Sequence, residues 1–167
     1  NLFSTVNGLN TYRLFYITGA VTVTFININF INGYAPSSSY SGHGVAILSN
    51  SANAVNLKVI NSTFDNNIAG GAASAICIFN SNSVVTVTNS TFTNNKATGS
   101  GQSGAIYVAG TANIEGSNFI NNTATGNGGA IYGEGTVRIT SSYFTNNRAI
   151  NSDQYSGAGG AVYGYNV

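Results

Sequence analysis

F-I-N-N-T-A-T-G-N-G-G-A-I, residues 119 to 131, brings together in one window two elements that recur along this chain. Its phenylalanine has counterparts at Phe30, Phe64, Phe92 and Phe144, so the five lie 34, 28, 27 and 25 residues apart. Reading on from each gives F-I-N-G-Y-A (30 to 35), F-D-N-N-I-A (64 to 69), F-T-N-N-K-A (92 to 97), F-I-N-N-T-A (119 to 124) and F-T-N-N-R-A (144 to 149). The Phe, the Asn two later and the Ala five later never vary. A second element follows each at a variable distance: G-V-A-I-L from 44, S-A-I-C from 74, G-A-I-Y from 104 and 129, and G-A-V-Y from 160. A third precedes each Phe, as V-T-V-T-F (21 to 25), V-N-L-K-V (55 to 59), V-V-T-V (84 to 87), A-N-I (112 to 114) and V-R-I (137 to 139). These last segments alternate apolar residues with others, which is strand periodicity.

Short strands divided by Gly, Asn and Ser corners, repeating every 25 to 34 residues with no helical period, predict one winding of a solenoid per repeat. The expected fold is all-β, a single-stranded right-handed parallel β-helix (β-solenoid) of about five to six coils. Residues 1–167 form one domain in this reading, with 1–20 as a partial first coil or cap and about five repeats from 21 to 167. Successive coils would stack at roughly 4.8 Å, a rise on the order of 25 Å in all. Equivalent residues then sit one above another. Phe30, Phe64, Phe92, Phe119 and Phe144 form an aromatic ladder, and Ile47, Ile76, Ile106, Ile131 and Val162 an aliphatic one. Asn67, Asn95, Asn122 and Asn147 line one corner, where their amides can bridge coils and satisfy turning backbone. Gly33 takes that place in the first coil, and both residue types tolerate a left-handed backbone there. The Ala five after each Phe marks a tight bend. Length variation falls at Pro36 to His43, Thr98 to Ser103 and Asn151 to Ala158, one corner of every coil, and hence on the face where solenoids place binding surfaces.

Composition narrows the function. Hydrophobic residues make up 43% of 167, yet there are only four acids and five Lys or Arg, against 26 Asn and 21 Gly. Five scattered cations and a net charge of +1 argue against nucleic acid, which is bound through clustered Lys and Arg. Regular apolar positions argue against disorder. The one cysteine, Cys77, has no internal partner, so packing and hydrogen bonds carry the stability. The chain opens at Asn1 with no Met and no charged n-region, so a signal peptide or membrane anchor would lie outside it, and no segment within it is long and apolar enough to span a membrane.

The pattern F-x-N-N-x-A followed by G-G-A-I, explicit at Phe119 to Ile131, resembles the repeats of chlamydial polymorphic outer membrane proteins and of the adhesin-like surface proteins of methanogenic archaea. The opening R-L-F-Y-I-T-G (13 to 19) is similar to the entry into the first coil of the archaeal proteins. The resemblance implies an extracellular, cell-surface β-helix and names no ligand. The Gly pair is complete only at Gly128 and Gly129 and at Gly159 and Gly160.

β-Helices also host polysaccharide lyases and hydrolases, whose chemistry needs converging carboxylates or a calcium cluster. Here Asp65, Glu115, Glu134 and Asp153 fall at unrelated points of the coil. His43, the one histidine, lies between Gly42 and Gly44 and reads as a solvated loop residue. Cys77 fills the column that holds Leu48, Tyr107, Tyr132 and Tyr163, which assigns it packing rather than reactivity. If the isoleucine row faces inward, alternation turns Tyr107, Tyr132 and Tyr163 outward. Stacking on one another is the simpler role for these tyrosines, and contact with a sugar or a neighbouring subunit the sharper one. Asn61, Asn89 and Asn121 head N-x-S/T sequons, with Asn61 and Asn89 at the same point of the coil. The columns flanking Phe (Asn29, Thr63, Thr91, Asn118, Tyr143 and Ile31, Asp65, Thr93, Ile120, Thr145) are too irregular for an ice-binding threonine array. The reading that results is an extracellular structural or adhesive module of a surface protein, not an enzyme, with no cofactor and no metal. Its partners would be a carbohydrate or cell-surface ligand. The alternative is a fibre subunit assembled end to end, and a polysaccharide-processing enzyme ranks last.

Overall fold

A computed structural model describes residues 2–36, 42–99, 103–150 and 159–167, and among these every regular element is a strand. One winding illustrates all. It starts with Val55–Ile60, turns at Asn61, continues as Thr63–Asp65, turns at Asn66, runs through Ile68–Ala69 and returns to Ile76–Ile78 before the next begins at Val84–Thr88. Each strand pairs in parallel with its equivalent one winding away, and the register matches the repeat letter for letter: Phe64 with Phe92, Ala69 with Ala97, Ile76 with Ile106, Leu57 with Val85. The result is a parallel β-solenoid of about five turns.

Four faces run along it. The phenylalanine face is a sheet of six strands from Ser4–Asn7 to Tyr143–Thr145, and the alanine face a sheet of five from Tyr34–Ala35 to Arg148–Ala149. The isoleucine face runs from Phe15–Tyr16 to Val162–Asn166, and the alternating face begins at Val21–Ile26. In the last coils these two faces merge, because the ten-residue strand Ile131–Thr140 passes from one to the other unbroken. Residues 2–16 contribute a strand to the phenylalanine face and one to the isoleucine face, which is a partial first coil.

Burial follows from the pleat. Val55, Leu57 and Val59 point inward while Asn56 and Lys58 point out, and the same alternation recurs in every alternating strand that has neighbours on both sides. Phe30, Phe64, Phe92 and Phe119 are fully buried and stack with Phe144 at centroid distances of 4.5, 4.5, 4.7 and 4.8 Å, with ring planes within 10° of parallel. At the other end the stack gives way to an edge-on cluster: Phe25 meets Phe30 at 5.2 Å and 89°, and Phe15 meets Phe30 at 5.7 Å and 75°. Each such pair adds about 0.5–1.5 kcal/mol beyond the area it buries.

Two polar ladders hold the windings in register. At the corner after Phe, Asn67, Asn95 and Asn122 are fully buried. The Asn95 amide donates to Phe64 O at 3.0 Å and to Asn122 Oδ1 at 2.9 Å, while its own Oδ1 accepts from Asn67 N and Nδ2 at 3.3 and 2.9 Å. The series runs from Gly33 N, which donates to Asn67 Oδ1 at 3.0 Å, to Asn147. The left-handed turn lies one residue earlier than the sequence suggested: Asn32, Asn66, Asn94, Asn121 and Asn146 have φ between 53° and 55°, and Asn67 and its equivalents do not. A left-handed side chain must project outward at this corner, so the amide that reaches inward belongs to the next residue.

The second ladder is one the spacing of Phe and Ala does not reveal. Ser62, Ser90 and Ser117 are buried two residues before the phenylalanines, and their hydroxyls accept from Ile28 N, Ser62 N and Ser90 N at 3.1 Å each. Each hydroxyl donates in turn to the carbonyl two residues back, Ile60, Thr88 and Glu115. Preceding each serine is another left-handed residue, Asn61, Asn89 or Gly116, with φ of 49°, 49° and 57°. The signal was the S-x-F spacing, present in four of the five repeats and replaced by Ile28 in the first. The invariant Ala points inward: Ala69, Ala97 and Ala124 are fully buried on the alanine face. In the G-A-I element the glycines stack so closely that a Cβ on Gly104 would stand 2.0 Å from Gly129 O, and one on Gly129 1.8 Å from Gly160 O.

Phe92→Ala is expected to cost about 3–5 kcal/mol through the cavity it opens between two rings. Asn95→Ala strips partners from Asn67 N, Asn67 Nδ2 and Phe64 O, each worth about 1–3 kcal/mol when buried and unpaired, so its cost should rival that of Phe92→Ala. Urea unfolding followed by circular dichroism measures both, with the outward-facing Thr93→Ala as the reference. A loss below about 1 kcal/mol for Asn95→Ala would remove the amide ladder from the account.

Candidate functional site

The alanine face returns to the isoleucine face through the segments of variable length. Most of these, residues 37–41, 100–102 and 151–158 with Asp153, lie outside the described residues, and so does the expectation of a binding surface built on them. The described part bears on the outer side of the isoleucine sheet. Ala73, Ser103 and Gly128 bridge in parallel from coil to coil, and beneath this rim Leu48, Ala72, Ala73, Cys77, Tyr107, Ala109 and Tyr132 form a second buried cluster, with Phe79 and Tyr163 against it.

This corrects the placing of the tyrosines. They do point away from the main core, in register with Cys77 and Leu48, but Tyr107 and Tyr132 are only 4% and 5% exposed. An outward side chain is not an exposed one here, because Ala72, Ala73, Cys77 and Ala109 pack in one buried cluster with these rings. Tyr163 is half-buried and Tyr165 exposed at 70%. The rings make a tilted series, Phe79 to Tyr107 at 5.1 Å, Tyr107 to Tyr132 at 5.5 Å and Tyr132 to Tyr163 at 5.2 Å. Burial raises the pKa of Tyr107, helped by its hydrogen bond to Glu134. Tyr132 is pushed up to about 12, by burial first and then by the charge of Glu134. Burial likewise holds the Cys77 thiol protonated, which makes it a poor nucleophile.

His43 also differs from its expected solvated loop. It is half-buried, its Nδ1 accepts from Ala72 N, and its ring meets Phe79 edge-on at 5.2 Å. Arg13 donates to the His43 carbonyl at 2.9 Å. Gly71 is necessary here, since a Cβ would lie 2.3 Å from Nδ1. Histidine 43 thus fastens the first returning segment to the second, and desolvation followed by the Arg13 charge lowers its pKa.

The remaining candidates do not converge. Asp65 lies on the phenylalanine face, Glu115 on the alternating face and Glu134 within the long strand Ile131–Thr140 where the isoleucine and alternating faces join, and no group of three or more His, Cys, Asp or Glu among the described residues could hold a metal. Asn61 and Asn89 occupy one left-handed corner in successive coils, and Asn121 the other. Asn89 and Asn121 are exposed, whereas Asn61 is half-buried and its amide donates to Asn27 Oδ1 at 2.5 Å. The columns beside Phe have the register expected, with Asn29, Thr63, Thr91, Asn118 and Tyr143 in line. Among the described residues no helix is long and apolar enough to cross a membrane.

Windings in register, polar ladders at the corners and no converging reactive groups among the described residues define a β-solenoid repeat protein. Residues 116–134 and 141–165 match the model of the Chlamydia polymorphic membrane protein repeat. These segments fall in the last coils, and the F-x-N-N-x-A and A-I/V elements they contain recur in register in the coils beneath them, an architecture consistent with repeats of that type. No curated protein and no solved structure matches it.

Two titrations test the covered side. Tyrosine absorbance should show Tyr107 and Tyr132 protonated at about pH 11, where exposed tyrosines have ionised near their usual value of about 10. Because the folded state raises both pKa values, their stabilisation is full below about pH 10 and is lost as the pH rises through the folded values. His43 has the opposite sign. Its folded pKa is depressed, so its contribution is full above about pH 6.5 and declines as the pH falls towards the folded value. His43→Ala should therefore flatten the loss of urea stability between about pH 7.5 and 5, and an unchanged slope would remove the fastening role.

Proposed function

We propose that the protein is an extracellular, cell-surface module whose solenoid is a rigid adhesive or structural rod, and that it is not an enzyme. The observation that carries this reading is the match of residues 116–134 and 141–165 to a membrane-protein repeat, on a body whose earlier coils follow the same pattern in register. The chemistry of the surface supports it. With four acids and five Lys or Arg in 167 residues, recognition rests on amides, hydroxyls and exposed apolar groups, and not on charge. Many of the described asparagines and serines hold coils together, and the described acids Asp65, Glu115 and Glu134 stand at separate points of the coil, which supports a scaffold over a reaction centre.

Beads coated with the chain should adhere to cultured animal cells well above beads coated with heat-unfolded chain, and soluble chain should compete. Equal adherence of folded and unfolded chain would sink the adhesive reading. Incubation with polygalacturonate and neutral polysaccharides should release no new reducing ends; release would install the enzyme in its place.

A further inference from the structure

Where the isoleucine face turns into the alternating face, the early coils carry a longer corner than the late ones. Five residues separate Ser49 from Val55 and Ile78 from Val84, against two between Val108 and Thr111. The long corners are tied together: Asn80 donates from Nδ2 to Ala52 O at 2.6 Å, Asn82 N donates to Asn80 Oδ1 at 2.9 Å, and Ser51 Oγ accepts from Gly19 N and Asn53 N. Beside them lies an open groove of about 290 Å³, lined by Val21, Thr22, Asn56, Asn82, Val84 and the small Ala20 and Ala54. Its floor is a column of the alternating sheet, with Thr22 opposite Asn56 and Asn56 opposite Val84. Most of the asparagines at the corners bridge coils, yet the side chains of Asn56, Asn82 and Thr22 make no hydrogen bond to a described residue. No charged residue lines the groove, and Val21 stays 39% exposed.

We propose that this groove binds a neutral hexose residue of a glycan. Two primary amides and a hydroxyl match the in-plane donors and acceptors of sugar hydroxyls, and Val84, in the same outward column as Thr22 and Asn56, offers with Ala54 a small apolar patch for the C–H face of a pyranose ring. The lack of charge matches a neutral sugar and selects against a uronate or sulfated one, whose anion would lose water with no cation in the lining to compensate. The rise per rung, roughly 4.8 Å, lets an extended chain of sugars continue along the same column towards Thr111 and Thr136. This specifies the ligand class of the adhesive reading and depends on that reading for its biological role.

The test is a titration of the ¹⁵N-labelled chain with the methyl glycosides of glucose, galactose, mannose and N-acetylglucosamine, and with methyl glucuronide. At least one neutral glycoside should give saturable amide shifts confined to residues 20–22, 54–56 and 82–84, with a Kd of about 1–10 mM, as suits an open site with few contacts. Asn56→Ala with Asn82→Ala should weaken that binding by about tenfold or more while leaving circular dichroism and urea stability unchanged, both side chains being outside the coil-bridging ladders. No shift with any neutral glycoside up to about 50 mM, shifts centred elsewhere, or equal binding of the glucuronide would overturn the proposal. Loss of sugar binding with bead adherence intact removes the groove alone, and the reverse outcome removes the adhesive reading alone.

Discussion

The whole structure depends on an amide that must find its partner in the next winding. Asn67, Asn95 and Asn122 have no access to water, and an unpaired buried amide costs on the order of 1–3 kcal/mol at each atom. Here each is satisfied by the asparagine of the neighbouring coil and by a phenylalanine carbonyl. The phenylalanine stack supplies more gross energy but less specificity, because a ring gains nearly as much from any apolar neighbour. A slip of one residue would set the inward asparagines against the outward Asn66, Asn94 and Asn121 in one direction or against Ile68, Lys96 and Thr123 in the other, and leave several buried donors and acceptors unpaired at once. Stability therefore comes mainly from the rings and register mainly from the amides, and the serine ladder at the preceding corner repeats the device with a hydroxyl.

That division explains what could be read from the letters. A residue that stacks on its own kind must recur in every coil, so Phe, Asn and Ala announced the architecture, the parallel register and the core face. Serine two before Phe carried an equally regular signal, but a serine amid so many small polar residues does not stand out until a hydrogen bond gives it a purpose. The left-handed corners were displaced by one residue for a related reason. In the pair Asn94-Asn95 both residues are asparagine, and composition does not say which bends the backbone and which reaches inward.

The site side was far less legible. Whether an outward tyrosine is exposed depends on what packs against it, and the described rim beside Tyr107 and Tyr132, with Ala72, Ala73, Ser103 and Gly128, is built from small residues whose letters carry no sign of that job. His43 is similar: flanking glycines suggested an exposed loop, whereas Gly71, a coil away, is what leaves room for the imidazole. Both misplacements arise where segments of unequal length meet, the one part of a coil in which position along the chain no longer fixes position in space.

A solenoid also limits where recognition can arise. Perfect repetition would give every coil the same outward residues, and a uniform surface distinguishes no ligand. Distinct chemistry appears only where the repeat is broken: a longer corner in the early coils, a cysteine or leucine in a tyrosine column, a returning segment of new length. The groove beside Ala20 and Ala54 is such a break, since there two long corners stand beside a strand floor whose asparagine bridges no coil. Imperfections in the repeat thus carry the information about function, while the faithful positions carry the information about fold.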